Sequence, residues 1–308
     1  MSRRRRLVSI RDLSDADLRQ LTERGAWFGG RAADGFEPLR GLVVGSFFRM
    51  TSTRTRTAFA SAALRLGAGH VAYGPNDLQL NTGESIEDTA RVFGRMLDAL
   101  VVRTDGHSAE LEALAGQERM AVINAMSIEE HPTQALADLT TMHRQFGRVD
   151  GLRVLYVGEG NNSAVALALA LSRFGEVELT LCCPPGYGVD PEVVALSQRQ
   201  AKAHDGVLLE SDDPATAMSD ADIVYTTRWQ TTGTSKPDPN WLQVFDPFRV
   251  DERLMERHPR AIFMHDLPAH RGQEVTGAVL DGPTSIAFDQ AENKLHSAKA
   301  VLEWCLTA

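Results

Sequence analysis

The feature that most constrains the fold is an alternation of short apolar runs with helix-like stretches. Each apolar run is bounded by turn residues and predicts a buried strand, and the stretch after it predicts a helix. The predicted strands are Leu42–Phe48, His70–Tyr73, Ala99–Arg103, Ala121–Ala125, Leu152–Val157, Val177–Cys182 and Asp222–Thr226. Because strands that alternate with helices form parallel sheets, the predicted fold class is α/β with two doubly wound parallel-sheet domains. A helix is also predicted from Ser9 to Leu21, with Asp12 and Leu13 at its start.

Composition and charge exclude several classes of protein. The net charge of −9 argues against general affinity for nucleic acid, so an anionic ligand needs a local positive site. The basic start, Arg3–Arg6, is interpreted as a solvated tail, and the other interpretation is contact with nucleic acid or an anionic surface. No apolar run reaches membrane-spanning length. The three cysteines, Cys182, Cys183 and Cys305, show no zinc spacing and no usual disulfide pairing, which favours a reducing cytoplasm.

A stretch rich in hydroxyl and guanidinium groups directly follows the first strand. It reads Ser52-Thr53-Arg54-Thr55-Arg56 and stands at the start of a predicted helix. A helix N-terminus offers unpaired N–H groups and a positive dipole end, and a guanidinium forks onto phosphate oxygens. The stretch therefore predicts a phosphate site. The other interpretation is a Ser/Thr helix cap followed by solvated arginines.

Later strand ends carry further candidate ligands. Arg103 ends a predicted strand, and His131 and Gln134 lie at the start of another predicted helix, where their spacing of three lets them share a side. In the second half, the turn Gly158–Ser163 follows a strand but lacks G-x-G-x-x-G spacing. A nicotinamide cofactor is therefore not expected, and the sequence predicts no cofactor and no metal.

Taken together, these motifs resemble the aspartate/ornithine carbamoyltransferase family along nearly the whole chain. Ser52–Arg56 resembles its carbamoyl-phosphate signature, and H-P-T-Q at 131–134 resembles its second signature. Similarity to the ornithine branch lies in Gly74-Pro75, Gln79, residues 84–96, Asn161-Asn162, residues 267–272 and residues 288–296. The resemblance implies a homotrimer, or a multiple of one, with sites shared between subunits. It also implies a carbamoyl-phosphate domain at 1–143 plus 288–308, an acceptor domain at 144–287, and a final helix that returns to the first domain.

The resemblance implies a role for each matching residue. Carbamoyl phosphate would be bound by Ser52, Thr53, Arg54, Thr55, Arg103, His131, Gln134, Leu267, Lys294 and, from a neighbouring subunit, Gln79. The catalytic set would be Arg54, Arg103 and His131, joined by Asp266 on the chemistry of this chain. The acceptor would be bound at the family's acceptor positions, some of them altered here: Asn162, Thr227, Arg228, Thr231 and Asp266. The chemistry agrees, because an amine attacks the carbamoyl carbon while negative charge builds on the carbonyl oxygen and the departing phosphate.

The acceptor residues depart from the ornithine branch. Where that branch has H-C-L-P, this chain has Asp266 in place of the cysteine. Where it has D-x-W-x-S-M-G to hold the α-groups of ornithine, this chain has Thr227 for the aspartate and Thr231-Thr232 for Ser-Met. The usual arginine of the last helix is Lys294. Thr227-Arg228-x-Gln230 also resembles the T-R-x-Q of the aspartate branch, although the lysine of that branch is missing between Thr82 and Glu84.

These departures predict a carbamoyltransferase acting on an amine other than free ornithine. The expected acceptor is a small amine or an amine-bearing intermediate, such as a 2,3-diaminopropionyl group in antibiotic biosynthesis. Asp266 would orient its ammonium and help it lose a proton, or would merely pair with Lys294. Three other interpretations stay open: an ornithine carbamoyltransferase with a variant acceptor site, a non-catalytic relative that binds carbamoyl phosphate, and an enzyme that phosphorolyses a ureido compound.

Overall fold

A computed structural model describes residues 4–231 and 234–307. The chain divides into two compact units, Met1–Arg144 with Glu292–Ala308, and Gln145–Ala291. The boundaries between the units therefore fall at 144/145 and 291/292, beside the expected 143/144 and 287/288.

The first unit is built on a four-stranded parallel sheet. Its strands are β1 (Val43–Phe48), β2 (Gly69–Tyr73), β3 (Ala99–Arg103) and β4 (Ala121–Asn124), in the order β2-β1-β3-β4. Its helices are α1 (Asp15–Phe28), α2 (Arg54–Arg65), α3 (Ile86–Phe93), α4 (Ser108–Ala115) and α5 (Pro132–Phe146), with 3-10 helices at Ile10–Asp12, Arg31–Ala33 and Gln79–Thr82. All three strand pairings are parallel, as the alternation predicts.

The second unit repeats this design with five parallel strands. They are β5 (Arg153–Val157), β6 (Glu178–Cys182), β7 (Val207–Ser211), β8 (Ile223–Thr226) and β9 (Ile262–His265), in the order β7-β6-β5-β8-β9. The helices are α6 (Asn162–Leu171), α7 (Pro191–Ala203), α8 (Trp241–Phe245), α9 (Glu252–Glu256) and α10 (Gly277–Leu280), with a 3-10 helix at Asp246–Phe248. The predicted fold class is confirmed, because both sheets are parallel and helices connect their strands.

The last helix, α11, runs from Ala287 to Leu306. Its residues from 292 onward contact other parts of the first unit: Asn293 Nδ2 donates to Thr141 Oγ1 (3.0 Å), and Glu303 forms a two-point ion pair with Arg24 (2.6 and 2.7 Å). Such a bidentate guanidinium–carboxylate pair fixes the angle of approach as well as the distance. The expected return of the final helix to the first unit is therefore seen in these contacts.

The predicted opening helix is wrong in its start. Ser9 caps a separate 3-10 helix, and Ser14 begins α1 through a capping box with Asp17. Each serine satisfies N–H groups that the helix itself leaves unpaired, so two caps within six residues divide the segment. Strand β7 was not predicted from the sequence, because Val207 and Leu209 are exposed and V-L-L lacks the apolar–polar alternation of a half-buried strand.

In the part of the chain that the structure describes, none of the helices has both the length and the apolar character needed to cross a membrane. All three cysteines are buried and free, and burial raises the pKa of Cys182 and of Cys305 to about 12. These thiols are therefore protonated and packed into the protein, and the absence of a Cys182–Cys183 bridge agrees with the sequence interpretation.

Candidate functional site

The order of strands locates a binding position in the first unit. From β1 the chain passes to β2 on one side of β1 and then crosses to β3 on the other side. The switch point therefore lies between β1 and β3. Ligands of open parallel sheets bind at such a point, beyond the carboxyl ends of the strands. Phe48, the last residue of β1, is paired with Arg103, the last residue of β3. The topology therefore places Arg103 and the stretch that follows β1 at the same edge of the sheet.

The start of α2 carries the predicted phosphate-binding stretch. Thr53 stands at the N-cap of this twelve-residue helix, yet its side chain makes no capping hydrogen bond. Ser52 and Arg54 are half-buried, Thr53 is exposed and Thr55 is buried. The guanidinium of Arg56 lies 5.1 Å from the ring centre of Phe48. The interpretation as a hydroxyl cap with solvated arginines does not describe this geometry.

A buried polar group stands at the start of α5. Lys294 of α11 donates to Gln134 Oε1, and Gln134 Nε2 donates to Asp138 Oδ1 (2.7 Å). Gln134 and Asp138 are almost completely buried. Since both ends of the Gln134 amide are engaged, its orientation is fixed by an ammonium on one side and a carboxylate on the other.

His131 immediately precedes α5 and is electrostatically linked to two other candidate residues. Its Nδ1 lies 3.3 Å from Thr133 Oγ1. Burial, and then the positive charges of Lys294 and Arg103, hold the pKa of His131 well below its usual value. His131 is thus neutral at physiological pH, and it can donate a hydrogen bond from one ring nitrogen while it accepts one at the other. The structure brings Arg103, His131, Gln134 and Lys294 together, and their roles toward carbamoyl phosphate stay predictions.

Gln79 has a different setting. It is exposed, it begins the 3-10 helix Gln79–Thr82, and its side-chain carbonyl accepts from Thr82 Oγ1 (2.6 Å). Its expected contact with a neighbouring subunit stays a prediction.

The second unit has its own switch point, between β5 and β8. Val157 and Thr226, the last residues of these strands, are paired. The turn 158–161 and Thr227 follow them directly. Asn161 caps α6 by accepting from the N–H groups of Ser163 (3.0 Å) and Ala164 (3.1 Å), and its Nδ2 donates to Thr227 Oγ1 (2.9 Å). The predicted acceptor residue Thr227 is therefore held by the residue that caps the helix, while Asn162 is buried at the first position of α6.

Tyr156 contacts the same threonine. Its hydroxyl lies 3.1 Å from Thr227 Oγ1, and it also donates to the backbone carbonyl of Glu159. Burial is the largest cause that raises the pKa of Tyr156 well above its usual value, so the hydroxyl is protonated. Sequence reasoning missed Tyr156, because a tyrosine inside an apolar strand gives no signal of its own.

Around Thr231 the structure shows an ion pair that the sequence did not suggest. Thr231 Oγ1 donates to Glu159 Oε2 (3.4 Å), and Lys236 Nζ donates to Glu159 Oε1. Arg228, also a predicted acceptor ligand, is half-buried, and its Nε has no hydrogen-bond partner among the described residues. Thr232 and Gly233 lie outside the described residues. The sequence offered one sign of Glu159, because it is a charged residue in the turn that follows a predicted strand. It offered no sign of Lys236.

Asp266 directly follows β9. Its Oδ2 accepts from Ser163 Oγ (3.0 Å). The preceding residue, His265, accepts the Leu267 N–H at Nδ1 (2.8 Å), so its proton is on Nε2 and is donated to Glu274 (3.1 Å). His265 and Glu274 are fully buried. This pair fixes the backbone of Leu267, which has a left-handed φ of 50°, and sequence reasoning did not identify Glu274 as part of it.

Two family models match the chain and divide it between them. Residues 5–144 match the carbamoyl-P binding domain of aspartate/ornithine carbamoyltransferase, and residues 150–305 match its Asp/Orn binding domain. Among curated relatives, the ornithine carbamoyltransferase of Symbiobacterium thermophilum is 41% identical over 301 residues, which are 97% of this chain and 96% of that protein. That of Methanothermobacter thermautotrophicus is 42% identical over 269 residues, 87% of this chain and 88% of that protein.

Solved structures agree with the sequence comparison. Ornithine carbamoyltransferase from Pyrococcus furiosus matches with a TM-score of 0.92 and 36% identity, covering 99% of this chain and 97% of that one. The structure from Gloeobacter violaceus matches with a TM-score of 0.88 and 36% identity, covering 99% of this chain and 100% of that one. The chain therefore belongs to the aspartate/ornithine carbamoyltransferase family, on its ornithine branch, and is a carbamoyltransferase.

Proposed function

We propose that the chain transfers the carbamoyl group of carbamoyl phosphate to the side-chain amine of ornithine, using a variant acceptor site. The observation that carries this proposal is the 41% identity, over nearly its full length, to a protein named ornithine carbamoyltransferase. This proposal replaces the prediction of a non-ornithine acceptor, because relatives that align over 87–99% of the chain are named for ornithine.

The donor would be held by the first unit. The N-terminus of α2, with Ser52, Thr53 and Arg54, supplies N–H groups, hydroxyls and a guanidinium for the phosphate. Arg103 and His131 supply donors for the carbamoyl oxygen, where negative charge develops during attack. A neutral His131 donates a hydrogen bond at this position without placing a third full charge beside Arg103 and Lys294.

The acceptor would be held by the second unit. The amine nitrogen, once neutral, forms a bond to the carbamoyl carbon, and the bond from that carbon to the phosphate oxygen breaks. The nitrogen then gives a second proton to the departing phosphate, which also keeps the electron pair of the broken bond. Asp266 accepts a hydrogen bond from Ser163 through Oδ2, so its other oxygen can orient the substrate ammonium and take the first proton, whose loss makes the amine neutral.

The test is an acceptor panel. The purified chain is mixed with carbamoyl phosphate and L-ornithine, L-aspartate, 2,3-diaminopropionate or a 2,3-diaminopropionyl amide, and both phosphate release and the ureido product are measured. We expect the highest kcat/KM with L-ornithine. No phosphate release with any amine would instead support a carbamoyl-phosphate-binding protein without activity.

A second acceptor is favoured by one specific observation. Thr227 stands where the ornithine branch has an aspartate, and its hydroxyl is already engaged by Asn161 and Tyr156. An acceptor whose α-amine is tied up in an amide bond, such as a 2,3-diaminopropionyl group, needs no carboxylate at that position. A higher kcat/KM with the 2,3-diaminopropionyl amide than with L-ornithine would establish this acceptor in place of ornithine.

We also propose a homotrimer in which Gln79 reaches the phosphate bound by a neighbouring subunit. Its exposure and its position on a polar segment support this. Sedimentation velocity should give a mass of three chains, and Gln79→Ala should raise the KM for carbamoyl phosphate without changing that mass. A monomer with unchanged KM in the variant would contradict both statements.

A further inference from the structure

The environment of Lys236 is unusual for a loop lysine. Its side chain is only 4% exposed, and its ammonium pairs with the Glu159 carboxylate. The same Nζ lies 4.5 Å from the ring centre of Tyr187, 4.7 Å from that of Phe245 and 5.3 Å from that of Trp241. The ammonium is therefore enclosed by one carboxylate and three aromatic rings, which we name the Glu159 cage.

Such an enclosure is chemically specific for an ammonium group. Aromatic faces attract cations through their quadrupole, and cages of several rings with a carboxylate recognise ammonium ligands. A buried ion pair is by contrast a weak source of stability, because removing both charges from water offsets most of their attraction. The composition of the cage therefore indicates a binding site for a cation more than a contact that stabilises the loop.

The backbone brings the parts of the cage together. Gly160 approaches the neighbouring turn so closely that an added Cβ would lie 2.2 Å from backbone atoms of Gly188 and Val189. Its N–H donates to the Tyr187 carbonyl (2.7 Å), which sets Tyr187 beside Glu159. Helix α8 supplies Trp241 and Phe245 from its first and last positions.

The cage adjoins the predicted acceptor residues. Glu159 Oε2 accepts from Thr231, and the Glu159 carbonyl accepts from Tyr156, whose hydroxyl also contacts Thr227 (3.1 Å). Thr227 stands where the ornithine branch has an aspartate. Tyr156 contacts both Thr227 and Glu159, so a single residue connects the backbone of Glu159 to that position. Arg228, next to Thr227, has a buried Nε without a partner among the described residues, and it offers a cation to an α-carboxylate.

We propose that the Glu159 cage is the subsite for the free α-ammonium group of the acceptor, and that Lys236 occupies this subsite until the acceptor displaces it. The inference rests on the proposed function, since it requires an acceptor that carries a second ammonium group, as ornithine does. Exchange of one ammonium for another leaves the charge of the cage unchanged. Glu159 thereby takes the part of the aspartate that Thr227 replaces.

The experiment compares substitutions of Lys236. Lys236→Met keeps an unbranched side chain but removes the competing cation, so the KM for L-ornithine should fall about tenfold, since a site blocked most of the time binds correspondingly weakly. Lys202→Met removes an exposed lysine at the end of α7, outside the cage, and as the control it should leave the KM for L-ornithine unchanged. The KM for carbamoyl phosphate should not change in either variant.

Glu159→Gln is then tested in the Lys236→Met background, where no lysine competes. The KM for L-ornithine should rise about tenfold, as for loss of a charged hydrogen-bond partner. The inhibition constant of Nα-acetyl-L-ornithine, which has no α-ammonium, should stay unchanged. This pair of ligands separates recognition of the α-ammonium from general damage to the site.

The outcomes separate this inference from the proposed function. If L-ornithine is turned over, but Lys236→Met raises its KM or leaves it unchanged, then Lys236 anchors the loop and the inference is overturned alone. If neither the unsubstituted chain nor any variant turns over L-ornithine, the proposed acceptor is rejected, and the proposed ligand of the cage is rejected with it. A lower KM in Lys236→Met that Glu159→Gln reverses supports both.

Discussion

The candidate sites of the two units differ in how their polar groups are engaged. In the first unit, the hydroxyl of Thr53 stands at the start of α2 without capping it, whereas Gln134 is held by Lys294 and Asp138. In the second unit, two predicted residues already have partners: Thr227 accepts from Asn161, and Asp266 accepts from Ser163. The start of α2 therefore presents a threonine hydroxyl that makes no cap, whereas an acceptor at Thr227 or Asp266 would have to replace existing contacts.

This difference has an energetic consequence. A ligand that displaces internal hydrogen bonds gains only the difference between the new contacts and the old ones. Affinity for the acceptor is therefore set by exchange, and a single substitution in the second unit can change which amine is preferred. A substitution in the donor site should not change which amine is preferred, because carbamoyl phosphate is the same whatever the acceptor. Substitutions in the two units should differ in whether their effects depend on the amine.

The largest effect is expected at Arg54. Arg54→Gln removes a guanidinium from the start of α2 and should lower kcat/KM about 10³-fold, as for loss of a charge-stabilising donor, with every accepted amine alike. Steady-state kinetics with two amines checks this. Arg65→Gln, an exposed arginine at the other end of the same helix, is the matched control and should change kcat/KM less than about twofold. If the decrease in kcat/KM of Arg54→Gln differs between amines, the assignment of donor binding to the first unit is contradicted.

A smaller effect is expected at Asp266. Asp266→Asn keeps the shape and the hydrogen bond from Ser163 but removes the base, so kcat should fall about 10²-fold while the KM for carbamoyl phosphate stays constant. Asp266→Cys, the residue of the resembled signature, should retain more activity with L-ornithine than with other amines. Asp289→Asn, an exposed carboxylate of the same unit, serves as control. Unchanged turnover of every amine in Asp266→Asn would remove Asp266 from the mechanism.

The sequence predicted what lies beside strand ends and missed what is assembled from distant segments. Arg103, His131 and Gln134 are recognisable because each follows or ends an apolar run, and parallel strands carry such residues to one edge. The Glu159 cage combines residues 159, 187, 236, 241 and 245, and no local spacing links them. Strand β7 was missed for a different reason, because an exposed edge strand does not need an alternating pattern. The fold depends on local patterns repeated many times, whereas the proposed acceptor subsite depends on a few non-local contacts.

Thr227 offers a test in which stability and binding change together. Thr227→Val keeps the shape of the side chain but removes the oxygen that accepts from Asn161 Nδ2, and it should lower the free energy of unfolding by about 1–2 kcal/mol. Urea unfolding measures this loss. The KM for the amine should rise and that for carbamoyl phosphate should not. Thr227→Ser retains the hydroxyl and should restore both values, and an equal loss in the serine variant would show that the methyl group, not the hydrogen bond, matters.

The smallest effect concerns acid stability and returns to the first unit. Burial and the charges of Lys294 and Arg103 keep His131 neutral in the folded protein, whereas an unfolded histidine has a pKa of about 6.5. Below that pH the unfolded chain binds a proton that the folded chain does not, so His131 makes stability fall as pH decreases. His131→Gln should therefore lose less stability than the unsubstituted chain between pH 7.5 and pH 5.5, by about 1 kcal/mol. His258 of the second unit is the comparison: burial also lowers its pKa, but less strongly, and there Asp220 opposes the charges of Arg257 and Arg153, so His258→Gln should recover less. Equal recovery in both variants would mean that Lys294 and Arg103 add nothing that the surroundings of His258 lack, and the electrostatic distinction between the two units would then be lost.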